Sequence, residues 1–236
     1  VYKRQPLYFD HNCEETSGFK RQDWWHSVGR EAKMLRDFVG VIDISNFAKY
    51  ICKGPGAETW LNSIFANKMP NSIGQSCLTP LISVYGGVAG DATVTKVGDS
   101  EFWIVSSGIA ERYQKRFFNS VELPRETTFK SKTVDMCGFN IAGPKSREML
   151  QRLSNQDLSN NNWPFMHSGQ LSIAGVECLA LRISFSGDLG WEIYCDAEYQ
   201  EIIYKTLIKA SIIENGGPVG SLSLIHISEP TRLTMI

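Results

Sequence analysis

The sequence predicts an α+β protein in which two packed lobes of antiparallel sheet carry flanking helices. Most predicted strands are joined by short glycine-containing turns such as Gly86-Gly87, and short turns connect antiparallel neighbours. Helical segments separate these groups of strands, as is typical of α+β folds. A strand, a Gly-Pro pair and a helix follow one another at residues 50–65 and again at 139–153, which indicates two similar lobes.

The individual elements follow from apolar spacing and from turn residues. The first half contains helix 24–38, strand 39–50, helix 57–65, strands 77–84, 92–97 and 102–106, and helix 110–118. The second half contains strands 127–134 and 137–142, helix 145–153, strands 170–173, 176–185 and 191–194, and helix 197–210. We expect the lobes to span roughly residues 6–125 and 126–221.

One DNA sequence, read in opposite directions, can encode a run of residues at each end of the chain. The codons GTG TAT AAG AGA CAG encode VYKRQ at residues 1–5, and their reverse complement encodes LSLIH at 222–226. One DNA adapter read inward from each side explains both runs. We therefore expect residues 1–5 and 222–236 to be adapter-derived, and residues 6–221 to be an internal fragment of a longer protein.

Composition argues against several classes of protein. Hydrophobic residues make up 42% of the chain and charged residues 21%, as in ordinary globular domains. The net charge of −1 and the lack of a basic block argue against a nucleic-acid partner, and no apolar run reaches membrane-spanning length. The six cysteines show no metal-ligand spacing. We expect free thiols, no metal site, and a reducing compartment such as bacterial cytoplasm or the mitochondrial matrix.

The segment RISFSGDLGWEIY at residues 182–194 predicts a strand, a tight turn and a second strand. On the second strand, alternation places Trp191 and Ile193 on one face and Glu192 on the other. If the face of Glu192 lines a cavity, its carboxylate is a ligand-binding group. If that face meets solvent, Glu192 is an ordinary surface residue.

A second acidic residue, Asp91, lies in GGVAGDATVTKV just after the double-glycine turn. Aspartate is unfavourable inside a strand, and the adjacent glycines would let a flat ligand approach the backbone. Taken alone, the motif favours the alternative that Asp91 only caps the turn.

Seven segments, taken together, resemble the folate-binding aminomethyltransferase family, which includes the T-protein of the glycine cleavage system. In chain order they are VGVIDISNFAKY, GPGAETWL, GGVAGDATV, FWIVSSG, NIAGPKSREML, WPFM and RISFSGDLGWEIY. DISNFAKY, FSGDLGWEIYC and the tryptophan pair of QDWWHSVGREAKMLRDFVG are most similar to the C-terminal region of the flavin-linked dimethylglycine and sarcosine dehydrogenases. The resemblance runs from about residue 18 to 210.

The resemblance implies that tetrahydrofolate binds in a channel between the lobes. By position, Asp91 matches the catalytic aspartate of the family and Glu192 the glutamate that binds the pterin. Four residues match apolar or aromatic folate contacts, with core packing as the alternative: Phe47, Leu78, Trp103 and Val105. Phe185 stands where the family usually has tyrosine, so its ring can stack on the ligand but the hydroxyl hydrogen bond is lost.

The resemblance also implies what lies outside this chain. FAD is expected only in an upstream flavin domain, so the chain as given should not oxidise an amine, and the family's C-terminal β-barrel is missing. The predicted function is transfer of a one-carbon unit from an amine-derived donor to tetrahydrofolate, in a fragment of a dimethylglycine or sarcosine dehydrogenase-like enzyme. The alternatives are a glycine cleavage T-protein and a non-catalytic regulatory relative, such as a pyruvate dehydrogenase phosphatase regulatory subunit.

Overall fold

The computed structural model of the chain describes residues 5–10 and 21–228. These residues form two sheets with flanking helices, and the sheets share one apolar cluster. No helix in the described ranges combines the length and the apolar composition needed to cross a membrane. Of the segments expected to be adapter-derived, residues 1–4 and 229–236 lie outside the described residues.

Most elements agree in kind and approximate position with those expected from the sequence, but the last strand and the last helix were not predicted. The first half comprises α1 (Trp24–Asp37), β1 (Gly40–Asp43), β2 (Ala48–Lys53), α2 (Ala57–Ile64), β3 (Ser76–Ile82), β4 (Val88–Gly98), β5 (Glu101–Ser106) and α3 (Glu111–Ser120). The second half comprises β6 (Thr128–Ser131), β7 (Met136–Ala142), α4 (Ser146–Leu153), β8 (His167–Ile173), β9 (Val176–Arg182), β10 (Gly190–Asp196), α5 (Gln200–Ile213), β11 (Gly217–Pro218) and α6 (Ser221–Ser228).

The predicted antiparallel architecture is confirmed. One sheet has the strand order β3-β4-β5-β2-β6 and the other β11-β1-β7-β10-β9-β8. Neighbouring strands run antiparallel except for β1 and β11, which are parallel. Sheet membership is interleaved in sequence, because β1 joins the sheet of the second half and β6 joins that of the first.

The prediction of one strand over residues 39–50 is wrong, because this segment forms two strands that belong to different sheets. Between β1 and β2 the chain turns, and the backbone N–H of Ser45 donates to Asp43 Oδ1 at 2.8 Å. The N–H of Phe47 then donates to the carbonyl of Ile44 at 3.0 Å. Aspartate side chains commonly form such local hydrogen bonds in turns, and here the turn carries the chain from one sheet to the other.

The predicted repeat of strand, glycine and helix is present in both halves. Gly54 links β2 to α2 with φ +133°, and Gly143 links β7 to α4 with φ +124°. A Cβ at Gly54 would lie 2.2 Å from the carbonyl oxygen of Glu126, and one at Gly143 would lie 2.5 Å from that of Leu35. Both the φ angle and the close backbone contact therefore require glycine at these two positions.

Three apolar clusters fill the molecule. One lies on the outer face of the six-stranded sheet under α4 and α5, and another on the outer face of the five-stranded sheet under α2 and α3. The third, which we call the intersheet cluster, contains Leu35, Ile42, Ile44, Trp103, Val105, Ala142, Leu181, Tyr194, Val219 and Leu224. It draws residues from both sheets, so it marks the faces on which they meet.

Candidate functional site

Glu192 lies on the face of β10 that is directed toward the intersheet cluster. Its neighbours Trp191 and Ile193 belong to the cluster under α4 and α5, on the outer face of the six-stranded sheet. Tyr194, on the same face as Glu192, belongs to the intersheet cluster. Only 5% of Glu192 is exposed. The surface alternative is therefore excluded, and the carboxylate lies between the two sheets.

The buried surroundings of Glu192 make its carboxyl group harder to ionise than it would be in water. Burial raises its pKa to about 6, while a hydrogen bond from Tyr194 acts in the opposite direction. In that bond, Tyr194 Oη donates to Glu192 Oε2 at 2.7 Å. Glu192 lies opposite Asn140 of β7 on one side and Leu181 of β9 on the other. A carboxylate with a pKa near 6 is largely ionised at neutral pH and can accept hydrogen bonds there.

Trp103 and Val105 of β5 contribute the opposing wall from the other sheet. Both are buried, with 3% and 5% of the residue exposed, and both belong to the intersheet cluster. The ring of Trp103 packs edge-on against that of Tyr194, with 5.6 Å between the ring centroids. Trp103 therefore lies one side chain away from Glu192, since Tyr194 contacts both.

Phe47 lies in the turn between β1 and β2 and packs, partly buried, against the intersheet cluster. The fully buried Lys49 supports this turn, because its Nζ donates to the carbonyls of Ser45 at 3.0 Å and Phe47 at 2.8 Å. The position of Phe47 at the junction of the two sheets suits a ligand contact, and it also suits core packing.

Asp91 and Leu78 lie on the same face of the five-stranded sheet, toward its exposed edge. Leu78 pairs with Thr93, and Thr93 pairs with Val105, so these side chains form one row across the sheet. Asp91 precedes Thr93 by two residues and therefore shares its face. Asp91 is exposed and Leu78 is 57% exposed, so the structure does not bury either residue with Glu192.

A chain of buried polar side chains supports the backbone at Asp91 from the opposite face of the sheet. Ser106 Oγ donates to the carbonyl oxygen of Asp91, and Gln114 Nε2 donates to Ser106 Oγ at 2.6 Å. Tyr50 Oη donates to Gln114 Oε1 at 3.2 Å. Burial raises the pKa of Tyr50, so its hydroxyl stays protonated and remains a donor. This chain, which we call the Tyr50–Gln114–Ser106 relay, fixes the backbone that carries Asp91.

Phe185 lies in the loop 183–189 between β9 and β10, and it is 50% exposed. The predictions of a strand through residue 185 and of a tight turn are therefore wrong, since β9 ends at Arg182. Ser-Gly-Asp-Leu-Gly contains two glycines and forms a longer connection, in which Gly187 adopts φ +83°. Phe185 consequently lies in a loop and not on a strand, and it is not among the residues of the intersheet cluster.

Several buried polar atoms near Glu192 have no hydrogen-bond partner among the described residues. They include both amide atoms of Asn140 and the indole nitrogen Nε1 of Trp103. Buried polar atoms of this kind are uncommon in proteins, and each costs free energy when unpaired. A polar, planar ligand between the sheets would supply the missing partners, so the residues present fit the folate that the sequence implies.

Asn140 and Tyr194 were missed by the sequence analysis, although each left a signal. Tyr194 follows Glu192 by two residues and must share its face of the strand. Asn140 is the one polar residue within CGFNIA, a run that otherwise consists of apolar residues and glycine. The sequence alone does not show that Asn140 lies opposite Glu192, because this depends on the register of β7 and β10.

Other features of the described residues carry no comparable chemistry. Two surface cavities, of about 350 and 330 Å³, are lined by residues around Lys53 and around Arg152, and none of the predicted site residues lines either. No group of three potential metal ligands occurs in the ranges that the structure describes. The cysteines in these ranges are free thiols, as expected from their spacing.

The profile of the GCVT N-terminal domain family matches residues 2–225. The chain belongs to this family. The family resemblance inferred from the motifs is thereby confirmed, and the relatives come from both enzyme groups that the motifs suggested. The chain is 29% identical over 225 residues to mitochondrial dimethylglycine dehydrogenase of Mus musculus. This alignment covers 93% of the present chain and 26% of that protein.

An aminomethyltransferase of Thermoanaerobacter sp. (strain X514) is 25% identical over 213 residues, covering 88% of this chain and 58% of that protein. The crystal structure of glycine cleavage system aminomethyltransferase T from Bartonella henselae matches with a TM-score of 0.75 and 18% identity, over 88% of this chain and 54% of that chain. This likeness confirms the fold of this GCVT-family member. The chain spans about a quarter of the length of the dimethylglycine dehydrogenase it matches.

Proposed function

We propose that this chain is a tetrahydrofolate-binding domain for one-carbon transfer, from a protein similar to dimethylglycine and sarcosine dehydrogenases. The observation that carries the proposal is the carboxylate of Glu192, buried between two sheets beside polar atoms that have no partner among the described residues. Among the described residues no cationic side chain pairs with Glu192, and an unpaired carboxylate is costly to bury, so a ligand that donates hydrogen bonds would stabilise it. Membership of the GCVT family supports the same conclusion.

Glu192 is the residue that would hold the pterin. A pterin presents an amino group and a ring N–H side by side, and an ionised carboxylate can accept both hydrogen bonds at once. Tyr194 donates to Oε2 and so orients the carboxylate before the ligand arrives. Trp103, Val105 and Phe47 offer apolar and aromatic surface around it. Tetrahydrofolate, when bound, supplies the nitrogen that takes up the one-carbon unit.

Asp91 would act on protons and charge at the reacting end of the ligand. It lies on the ligand-facing side of the five-stranded sheet, and its backbone is fixed by Ser106. An aspartate there can accept the proton that a nitrogen loses on bond formation, and it can stabilise positive charge nearby. Its exposure is consistent with a position at the mouth of the site, where the one-carbon donor enters.

The partners proposed for the domain are a one-carbon donor and a flavin domain in the same protein. Dimethylglycine dehydrogenase extends well beyond the part that this chain matches. We propose that FAD binds in that further region and that residues 6–221 form the folate domain, with both ends adapter-derived. The bacterial cytoplasm and the mitochondrial matrix both remain proposed locations. A free T-protein is the second candidate, supported by the aminomethyltransferase match.

The proposal is tested by titrating the purified chain with tetrahydrofolate in a calorimeter at pH 7.5. Glu192→Ala should weaken binding by about 100-fold or more, because a charge-assisted pair of hydrogen bonds is lost. The control is Glu177→Ala, which removes an exposed carboxylate of the same sheet. Binding by Glu192→Ala that equals the wild type would refute the assignment of Glu192.

The role of Asp91 is tested in the full-length flavoprotein, with Asp99→Asn as the exposed control. Asp91→Asn should bind tetrahydrofolate with wild-type affinity and lose transfer of the one-carbon unit. If this variant transfers at the wild-type rate, Asp91 has no part in the reaction. Transfer from a lipoyl-carried aminomethyl group instead of an amine-derived donor would favour the T-protein.

A further inference from the structure

Asn140 is a buried amide with neither of its polar atoms paired. Only 2% of the residue is exposed, and Oδ1 and Nδ2 both lack a hydrogen-bond partner in the part of the chain that the structure describes. Leaving such a group unpaired is costly, and native proteins retain very few. The amide therefore requires an explanation beyond packing.

The register of the six-stranded sheet places this amide beside Glu192. Asn140 of β7 pairs directly with Glu192 of β10, and on its other side it pairs with Ile42 of β1. Directly opposed residues have Cβ atoms about 5 Å apart and project from the same face of the sheet. Ile42 belongs to the intersheet cluster, which confirms that this face is the one directed at the other sheet.

We propose that Asn140 is a second polar ligand-binding residue, whose amide binds the acceptor–donor pair adjacent to the pterin edge held by Glu192. This inference rests on the proposed function and extends it to a residue outside the predicted site. A carboxylate only accepts hydrogen bonds, whereas an amide offers an acceptor and donors side by side. The two neighbours are therefore complementary to different parts of one heterocycle.

The chemistry of a tetrahydropterin matches this arrangement on either side of the edge that Glu192 binds. On one side the 4-carbonyl oxygen is an acceptor and N5–H is a donor. On the other side N1 is an acceptor and N8–H is a donor. In both cases an amide can donate to the first atom and accept from the second, which a carboxylate cannot do. Asn140 would thus select for the reduced ring, which carries the N–H groups.

The first test measures thermal unfolding of the ligand-free chain with Asn140→Leu, a substitution of similar shape. Replacing an unpaired buried amide by an apolar group should raise the unfolding midpoint by about 2–6 °C. Asn119→Leu, on the exposed face of α3, is the control and should change the midpoint little. A lowered midpoint for Asn140→Leu would show that the amide is structurally paired, and would overturn the inference.

The second test measures binding of tetrahydrofolate and of its 5-deaza and 8-deaza analogues by calorimetry. Asn140→Leu should weaken binding of tetrahydrofolate by about 10- to 100-fold. For the analogue that lacks the N–H bound by Asn140, the loss caused by Asn140→Leu should be clearly smaller, because only the hydrogen bond to the ring acceptor remains to be lost. An equal loss for all three ligands would mean that Asn140 acts only through the structure, and would overturn the inference.

The same titrations separate this inference from the proposed function. If the wild-type chain and Asn119→Leu do not bind tetrahydrofolate, the proposed function fails, and the inference fails with it. If they bind, Glu192→Ala does not, and Asn140→Leu binds like the wild type, then the proposed function stands and only the role of Asn140 is refuted.

Discussion

Tyr194 Oη donates a hydrogen bond to Glu192 Oε2 at 2.7 Å, from two positions along the same strand. Burial raises the pKa of Glu192 to about 6 and also raises that of Tyr194. The phenol therefore remains protonated at neutral pH, and it supplies a donor to the carboxylate. The carboxylate keeps capacity to accept hydrogen bonds from a ligand, and it is held in one orientation for that purpose.

The stability of the chain should depend on pH through the carboxylate of Glu192. Because the pKa of Glu192 is about 6 in the folded chain against an ordinary value of 4.5, the folded state holds a proton that the unfolded state has released between these values. The contribution of Glu192 to the free energy of unfolding should therefore fall by about 2 kcal/mol as pH rises through this window. Urea unfolding of Glu192→Gln should lack this decrease, and parallel profiles for wild type and variant would contradict the assignment.

Removal of the Tyr194 hydroxyl should make the burial of Glu192 more costly. In Tyr194→Phe the ionised carboxylate loses its donor, so its pKa should rise further and the free energy of unfolding at pH 7.5 should fall by about 1–3 kcal/mol. The loss should be smaller at pH 5, where Glu192 is protonated in the folded state. Tyr113→Phe, on a half-exposed residue, is the control for chemical denaturation at both pH values.

The Tyr50–Gln114–Ser106 relay should be sensitive to loss of its central residue. Gln114 is 1% exposed and bonds to both Ser106 and Tyr50, so Gln114→Leu leaves the Tyr50 hydroxyl without its acceptor. We expect a decrease of about 1–3 kcal/mol in the free energy of unfolding. Asn119→Leu on the same helix should change it by less than about 0.5 kcal/mol. Equal effects would show that the relay contributes no stability.

Replacement of Phe185 by the tyrosine that the family resemblance implies at this position should strengthen the proposed binding of tetrahydrofolate. Phe185 is 50% exposed in its loop, so Phe185→Tyr adds a hydroxyl without burying a polar group. One new hydrogen bond to the ligand should increase affinity about 3- to 10-fold, with the free energy of unfolding unchanged. Unchanged affinity in calorimetry would indicate that the ring at this position does not contact the ligand.

Much of the fold could be predicted from the sequence because its signals are local. The apolar spacing of α1, the glycines after β2 and β7, and the alternation along β10 each depend on residues close in the chain. The prediction for residues 39–50 was wrong because the structure of this segment depends on residues distant in the chain. Its apolar residues suit one strand or two, and only pairing with distant strands divides them between sheets.

In the candidate site, too, some features follow from local sequence and others from the pairing of distant segments. Alternation alone determined that Glu192 and Tyr194 share a face of β10, and that Trp191 and Ile193 share the other. Only the tertiary structure decided that the first face is buried, because the wall that covers it comes from Trp103, roughly ninety residues earlier. It also decided that Asn140 stands beside Glu192, because cross-strand register depends on how two distant strands pair and not on the sequence of either one.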